Sequence, residues 1–86
     1  MKRDELLRQM AADLSADILD VIHEECIPIE DVVDMVIPVG SPGAQFHRPF
    51  LESALEDLND AGDPLDPLTC LQVCQAMGWT VGVVEV

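Results

Sequence analysis

An 86-residue chain that is 49% hydrophobic and 24% charged has the makings of one small domain, residues 1–86, and no room for a second core. Its 17 acidic residues against 4 basic ones give a formal charge of -13, which repels phosphate backbones and anionic membranes and argues against unassisted nucleic-acid binding. Only Phe46, Phe50 and Trp79 are aromatic, so base-stacking platforms are missing too, while the apolar fraction is too high for disorder.

In chain order, Leu7, Met10, Leu14, Ile18, Val21 and Ile22 recur at three- and four-residue steps, which predicts an amphipathic helix from about residue 3 to about residue 24. Pro28 suits a first helical position, and Glu30 and Asp31 suit the positive end of a helix dipole. A second short helix is expected there, with Ile29, Val32, Val33 and Val36 inward and Pro38 ending it. Periodicity leaves a strand open for Val32 to Val39, since short apolar runs do not separate the two. Val39 to His47, with Gly40, Ser41, Pro42 and Gly43, reads as a loop. A third helix is expected from near Pro49, burying Phe50, Leu51, Ala54, Leu55 and Leu58 and stopping at Gly62. Asp66-Pro67 pairs an N-cap with proline at the first helical position, and Leu68, Leu71, Cys74 and Met77 form the expected inner stripe up to Gly78.

The Val-rich end, Trp79 to Val86, carries strand propensity. A strand needs a partner for its backbone donors and acceptors, either Met35 to Val39 or the same strand of a second molecule. The fold expected is therefore mainly α, a compact domain of about four helices ending in a β-strand that pairs locally or across a dimer, with Trp79, Val81, Val83 and Val84 as the dimerising side chains. A tail packed on the helices through Trp79 is the alternative.

No stretch approaches the ~18 consecutive apolar residues of a membrane span. The first residues lead into a helical pattern with interspersed acids in place of an apolar signal core, so a cytoplasmic location is expected. Chemistry is thinly represented: there is no Gly-rich phosphate loop, nucleophile elbow or HExxH, and Ser15, Ser41 and Ser53 have no flanking signature. His23 with Cys26 and Cys70 with Cys74 offer zinc-ligand types in helical pairs. Cys70 and Cys74 fall among Leu71, Val73 and Met77, however, where cysteine behaves as a small apolar side chain, so reduced thiols and no metal or other cofactor are expected.

The acids carry more information. Asp13, Asp17, Asp20 and Glu24 follow at steps of four, three and four, one stripe spanning about 16 Å of helix. Glu30, Asp31 and Asp34 form a second group, and Glu52, Glu56, Asp57, Asp60 and Asp63 a third. From residue 9 onward Arg48 is the single base against 15 acids, a net charge of -14. A surface made for solubility normally mixes signs, so this one is read as a face for a basic partner.

Two families invite comparison. In size, acidity and helical content the chain looks like an acyl carrier protein, but the Asp-Ser-Leu phosphopantetheine site is missing: Ser15 stands in Leu14-Ser15-Ala16 and Ser41 in Gly40-Ser41-Pro42. In the C-terminal part, Phe50-Leu51-Glu52-Ser53-Ala54-Leu55, Gly62-Asp63-Pro64 and Leu71-Gln72-Val73-Cys74-Gln75-Ala76-Met77-Gly78 with the Val-rich end resemble the recognition helix, loop, last helix and tail strand of small helix-turn-helix antitoxins of the addiction-module antidote type. That resemblance implies a helical domain that dimerises and neutralises a basic toxin. Its DNA binding does not carry over, because the helix in the reading position bears Glu52, Glu56 and Asp57 with only Arg48 nearby.

The expected function is a non-enzymatic acidic protein-interaction domain, a phage or mobile-element inhibitor that occupies the basic nucleic-acid-binding surface of a target protein. The partner-binding residues are Asp13, Asp17, Asp20, Glu24, Glu30, Asp31, Asp34, Glu52, Glu56, Asp57 and Asp60. An antitoxin-like regulator is the alternative, and a small enzyme or carrier the third reading.

Overall fold

The computed structural model describes residues 2–79, which form four helices: α1 (Arg3–Glu25), α2 (Ile29–Val36), α3 (Ala44–Ala61) and α4 (Pro67–Met77). Residues 29–36 are thus helix, which settles the helix-or-strand alternative there, and no strand occurs among the described residues. The expected C-terminal strand, with Val81, Val83 and Val84, lies outside them. Trp79, which lies inside, packs against the core and donates its backbone N–H to the Cys74 carbonyl at 2.9 Å. Among the described residues no helix is long and apolar enough to cross a membrane.

One apolar cluster joins all four helices: α4 packs on α1 and α2, α2 packs on α3, and α1 touches α3. Its fully buried members include Ile18, Val32, Val33, Leu55, Leu58, Val73 and Cys70. Each large aliphatic side chain so buried contributes about 1.5–3 kcal/mol relative to exposure.

The inner face of α1 differs from the Leu- and Met-rich stripe expected. Ala11, Ser15, Ile18 and Ile22 are buried, whereas Leu7, Met10, Leu14 and Val21 are only partly so. The reason is a close seam with α4. Small side chains at 11 and 15 let the two helices approach, and Ser15 stays satisfied: its hydroxyl accepts from the Leu65 N–H at 2.8 Å and lies 3.4 Å from the Cys70 sulfur. An unpaired amide at Leu65 would cost about 1–3 kcal/mol.

The start of α3 also differs. The loop is shorter than Val39 to His47, because Gly43 adopts φ 75° and turns the chain so that the helix begins at Ala44, with the Phe46 and His47 amides donating to the Gly43 carbonyl at 2.9 and 3.0 Å. Pro49 therefore stands inside the helix, in its second turn, where it has no N–H to give the Gln45 carbonyl. Phe50 is 77% exposed at the cleft between α3 and α4, contrary to its expected burial beside Leu51, Leu55 and Leu58. In α4 the buried face is Cys70, Val73 and Cys74, which leaves Leu68 65% exposed and Leu71 and Met77 partly covered. The Asp66 N-cap is as expected, its carboxylate accepting from the Thr69 N–H at 3.1 Å, and Gly62 and Gly78 close α3 and α4 in the left-handed conformation.

Candidate functional site

Every one of Asp13, Asp17, Asp20, Glu24, Glu30, Asp31, Asp34, Glu52, Glu56, Asp57 and Asp60 is exposed. At about 100° per residue, the α1 stripe of Asp13, Asp17, Asp20 and Glu24 lies roughly opposite the buried Ala11, Ser15, Ile18 and Ile22. The α2 and α3 acids likewise occupy the sides of their helices away from Val32 and Val33 and from Leu51, Leu55 and Leu58. The acids are thus spread over the outward faces of three helices, one group to each. Between α1 and α3, His23 Nε2 and Asn59 Oδ1 are 2.7 Å apart, a contact next in sequence to Glu24 and Asp60.

Asp34 is an exception among these carboxylates. Arg48 reaches back from α3, giving one guanidinium nitrogen to Asp34 and the other to the Ile37 carbonyl at 2.6 Å. This contact holds the end of α2 to the start of α3, a cation placed where the last carbonyls of a helix need donors. Its consequence is electrostatic. The lone base after residue 8 is committed internally, and Lys2, Arg3 and Arg8 sit at the beginning of α1. Among the described residues no other Lys or Arg side chain interrupts the acidic surface.

The thiols do not converge on the His23 imidazole, which faces Asn59, while the Cys26 thiol donates to the His23 carbonyl at 3.7 Å. Cys70 and Cys74 are buried and Cys26 is exposed at the end of α1. Among the described residues no group of three or more His, Cys, Asp or Glu side chains is placed to hold a metal. Burial pushes the Cys70 and Cys74 thiols above their ordinary range, with Cys70 and Asp17 adding to the effect at Cys74, so both are poor nucleophiles. Ser15 beside Cys70 is a packed and hydrogen-bonded pair without an adjoining base.

A feature that sequence reasoning missed is a cleft of about 830 Å³ between α3 and α4, floored by the end of α2 at Val36 and Ile37. Its α3 wall is His47, Phe50, Leu51 and Ala54, positions i, i+3, i+4 and i+7 of one helical face. Its α4 wall is Thr69, Gln72, Gln75 and Ala76, with Asp66 at the head and Pro42 from the loop. The Thr69 hydroxyl, with backbone N–H groups at the helix start, holds the Asp66 carboxyl below its ordinary range despite some opposition from burial. A signal for this cleft was present in the sequence. Residues 67–77 contain no charged side chain in a chain that is 24% charged, and their apolar residues exceed what one buried face can take.

No family model matches this chain, and neither a curated protein nor a solved structure matches it.

Proposed function

We propose that this chain is a non-enzymatic acidic interaction domain that docks on the basic surface of a nucleic-acid-handling protein, its carboxylates standing where phosphates otherwise sit. The observation that carries this reading is the commitment of Arg48 to Asp34 and Ile37, which leaves the other ten of the eleven expected partner-binding carboxylates exposed and, among the described residues, without a Lys or Arg side chain bonded to them. On α1 the four carboxylates recur every 4.5–6 Å of axis, against about 3.4 Å per phosphate along one DNA strand. Arg and Lys made to receive phosphate oxygens would meet these oxygens through charge-assisted hydrogen bonds.

Immobilised chain incubated with a lysate at low salt and then washed with duplex DNA tests the proposal. Nucleic-acid-handling proteins released by the DNA wash are the expected outcome, and their capture should be lost when Asp13, Asp17, Asp20 and Glu24 are changed to Asn, Asn, Asn and Gln. Capture of a small toxin, unaffected by DNA, would replace this reading with the antitoxin-like one. An acyl-transfer enzyme in the eluate would replace it with a carrier.

A further inference from the structure

The cleft between α3 and α4 is a surface of mixed polarity that the fold leaves uncovered, apolar along α3 at Phe50, Leu51 and Ala54 and largely polar along α4 at Thr69, Gln72 and Gln75. Phe50 stands at its α3 wall with 77% of its surface exposed, and Phe46, one turn earlier on the same side, is 64% exposed. Leu68, which shares a side of α4 with Gln72 and Gln75, is 65% exposed. Apolar side chains thus stand on both helices bordering the trough. Scattered surface apolar residues need no explanation, but Phe50 lines the cleft itself, and Phe46 and Leu68 lie on the sides of α3 and α4 that border it.

Charge decides between occupants. A second copy would bring another -13 against this one, and nucleic acids and anionic membranes meet the same repulsion. Residues 80–86 add Glu85 and no base. Within the cleft Asp66 is an acid held in its ionised form, Asp57 lies two turns beyond Phe50 on the same side of α3, and Arg48, the nearby base, is bound to Asp34. A trough between two helices, with His47, Phe50, Leu51 and Ala54 along one face of α3, has the form of a groove into which an amphipathic helix lays its apolar face.

We infer that the α3–α4 cleft receives an amphipathic helix of the partner protein, its apolar face seated between Phe50 and Gln72 and its basic flanks turned toward Asp57 and Asp66. This rests on the proposal that the partner is basic, and adds where and in what form it binds. Seating the helix covers Phe50 and Leu68; the acidic row of α1 then serves to attract and orient the partner from outside the cleft.

The test uses the whole chain, ¹⁵N-labelled, titrated with two synthetic Leu/Lys peptides of about five helical turns. In one the leucines form a single helical face; the other has the same composition scrambled so that they do not. The amphipathic peptide should bind about tenfold or more tightly than the scrambled one, shifting the amides of Ala54, Gln72 and Ala76, and Phe50→Ala should remove about tenfold of that affinity. Because Phe50 and Leu68 are exposed, Phe50→Ala and Leu68→Ala keep the fold, which their unshifted core amides would verify.

Equal affinity for the two peptides, with shifts confined to Asp13, Asp17, Asp20 and Glu24, would overturn the cleft assignment while leaving the acidic reading standing. Binding of neither peptide at low salt would remove both. Concentration-dependent shifts of the cleft amides before any peptide is added would show a second copy as the occupant. Contacts from residues 80–86 to Phe50 and Gln72 would show the chain's own end there. Either of these last results overturns the inference.

Discussion

Both α1 and α4 lean on the seam where Ser15 meets Cys70 and the Leu65 amide, yet α1 turns Asp13, Asp17, Asp20 and Glu24 outward while α4 has no charged residue from Pro67 to Met77. The contrast follows from surroundings. One side of α1 is buried and its remainder faces water, where charge is cheap. Helix α4 is packed by α1 on one side and α2 on another and borders the cleft on a third, where Leu68, Gln72, Gln75 and Ala76 are exposed yet uncharged. Where a surface is charged, its removal should leave the fold alone; where it is uncharged and packed, small changes should be costly.

The largest effect is expected in the shared core. Leu55→Ala removes a fully buried side chain from the cluster that joins the helices and should cost about 2–5 kcal/mol in denaturant unfolding. For a small domain with roughly 5–15 kcal/mol in total, that is a large share of its stability. A loss under about 1 kcal/mol would mean that α3 is not held by this core.

Next comes the seam itself. Ser15→Ala keeps the small volume that lets α1 approach α4 but strips the Leu65 N–H of its acceptor, and should cost about 1–3 kcal/mol. The cost should persist at high salt, because no ion pair is involved. An unchanged midpoint would show that the Leu65 amide finds another acceptor.

The seam also shows what could be read from the sequence and what could not. The existence and order of the four helices follow from local chemistry: Asp66-Pro67 begins α4, while Gly62 and Gly78 supply left-handed closures. The rotation of α1 was hidden, because hydropathy ranks Leu7, Met10 and Leu14 above Ala11 and Ser15, whereas a close helix crossing selects for smallness. Phe50 and Leu68 were misplaced for a related reason. Whether they are covered depends on how far apart α3 and α4 stand, a long-range quantity that no window of sequence contains. For the candidate site, the acidic rows were legible residue by residue, since exposed charge on an outward face is a local property. The pairing that removes Asp34 from them was not, because Arg48 lies 14 residues away and the α2–α3 turn determines whether the two meet.

The cap of α4 gives a smaller effect with a pH signature. Asp66→Ala should cost about 1 kcal/mol, the usual value of an N-cap, while Asp66→Asn should retain most of it. The folded-state pKa of Asp66 is lowered, so its ionised form contributes stability above the unfolded value of 3.8 and loses it as pH falls through the lower folded value. Wild type should therefore lose stability relative to Asp66→Asn as pH is lowered from about 4. Parallel acid limbs for the two proteins would refute the Thr69 contact as its cause. At the other end of the seam, Cys26 closes α1 with φ 53°, a conformation that disfavours a side chain. Cys26→Gly should stabilise the fold by a few tenths to about 1 kcal/mol, the relief being partly offset by the greater freedom of glycine in the unfolded chain.

The smallest effect on the fold is expected where the charge is greatest. Like charges at i, i+3 and i, i+4 destabilise a helix by about 0.2–0.5 kcal/mol per pair, and Asp13, Asp17, Asp20 and Glu24 make three such pairs with no Lys or Arg among them. Replacing them by Asn and Gln relieves that repulsion and touches nothing buried. Asn is about as good a helix former as Asp and Gln as Glu, so propensity changes little and the relief of screened repulsion should raise stability by about 0.5 kcal/mol, with no loss. Added salt sharpens the distinction, because it screens the self-repulsion of a chain carrying -13 and the attraction to a basic partner alike. Moderate salt should raise the melting temperature of the wild-type chain, raise that of the neutralised variant less, and weaken the complex. A row that served the fold would show the opposite pattern, a neutralised variant well below wild type and a wild-type chain that salt destabilises. Those two measurements on the isolated chain therefore separate an α1 surface shaped for a partner from one that holds α1 in place, before any partner has been identified.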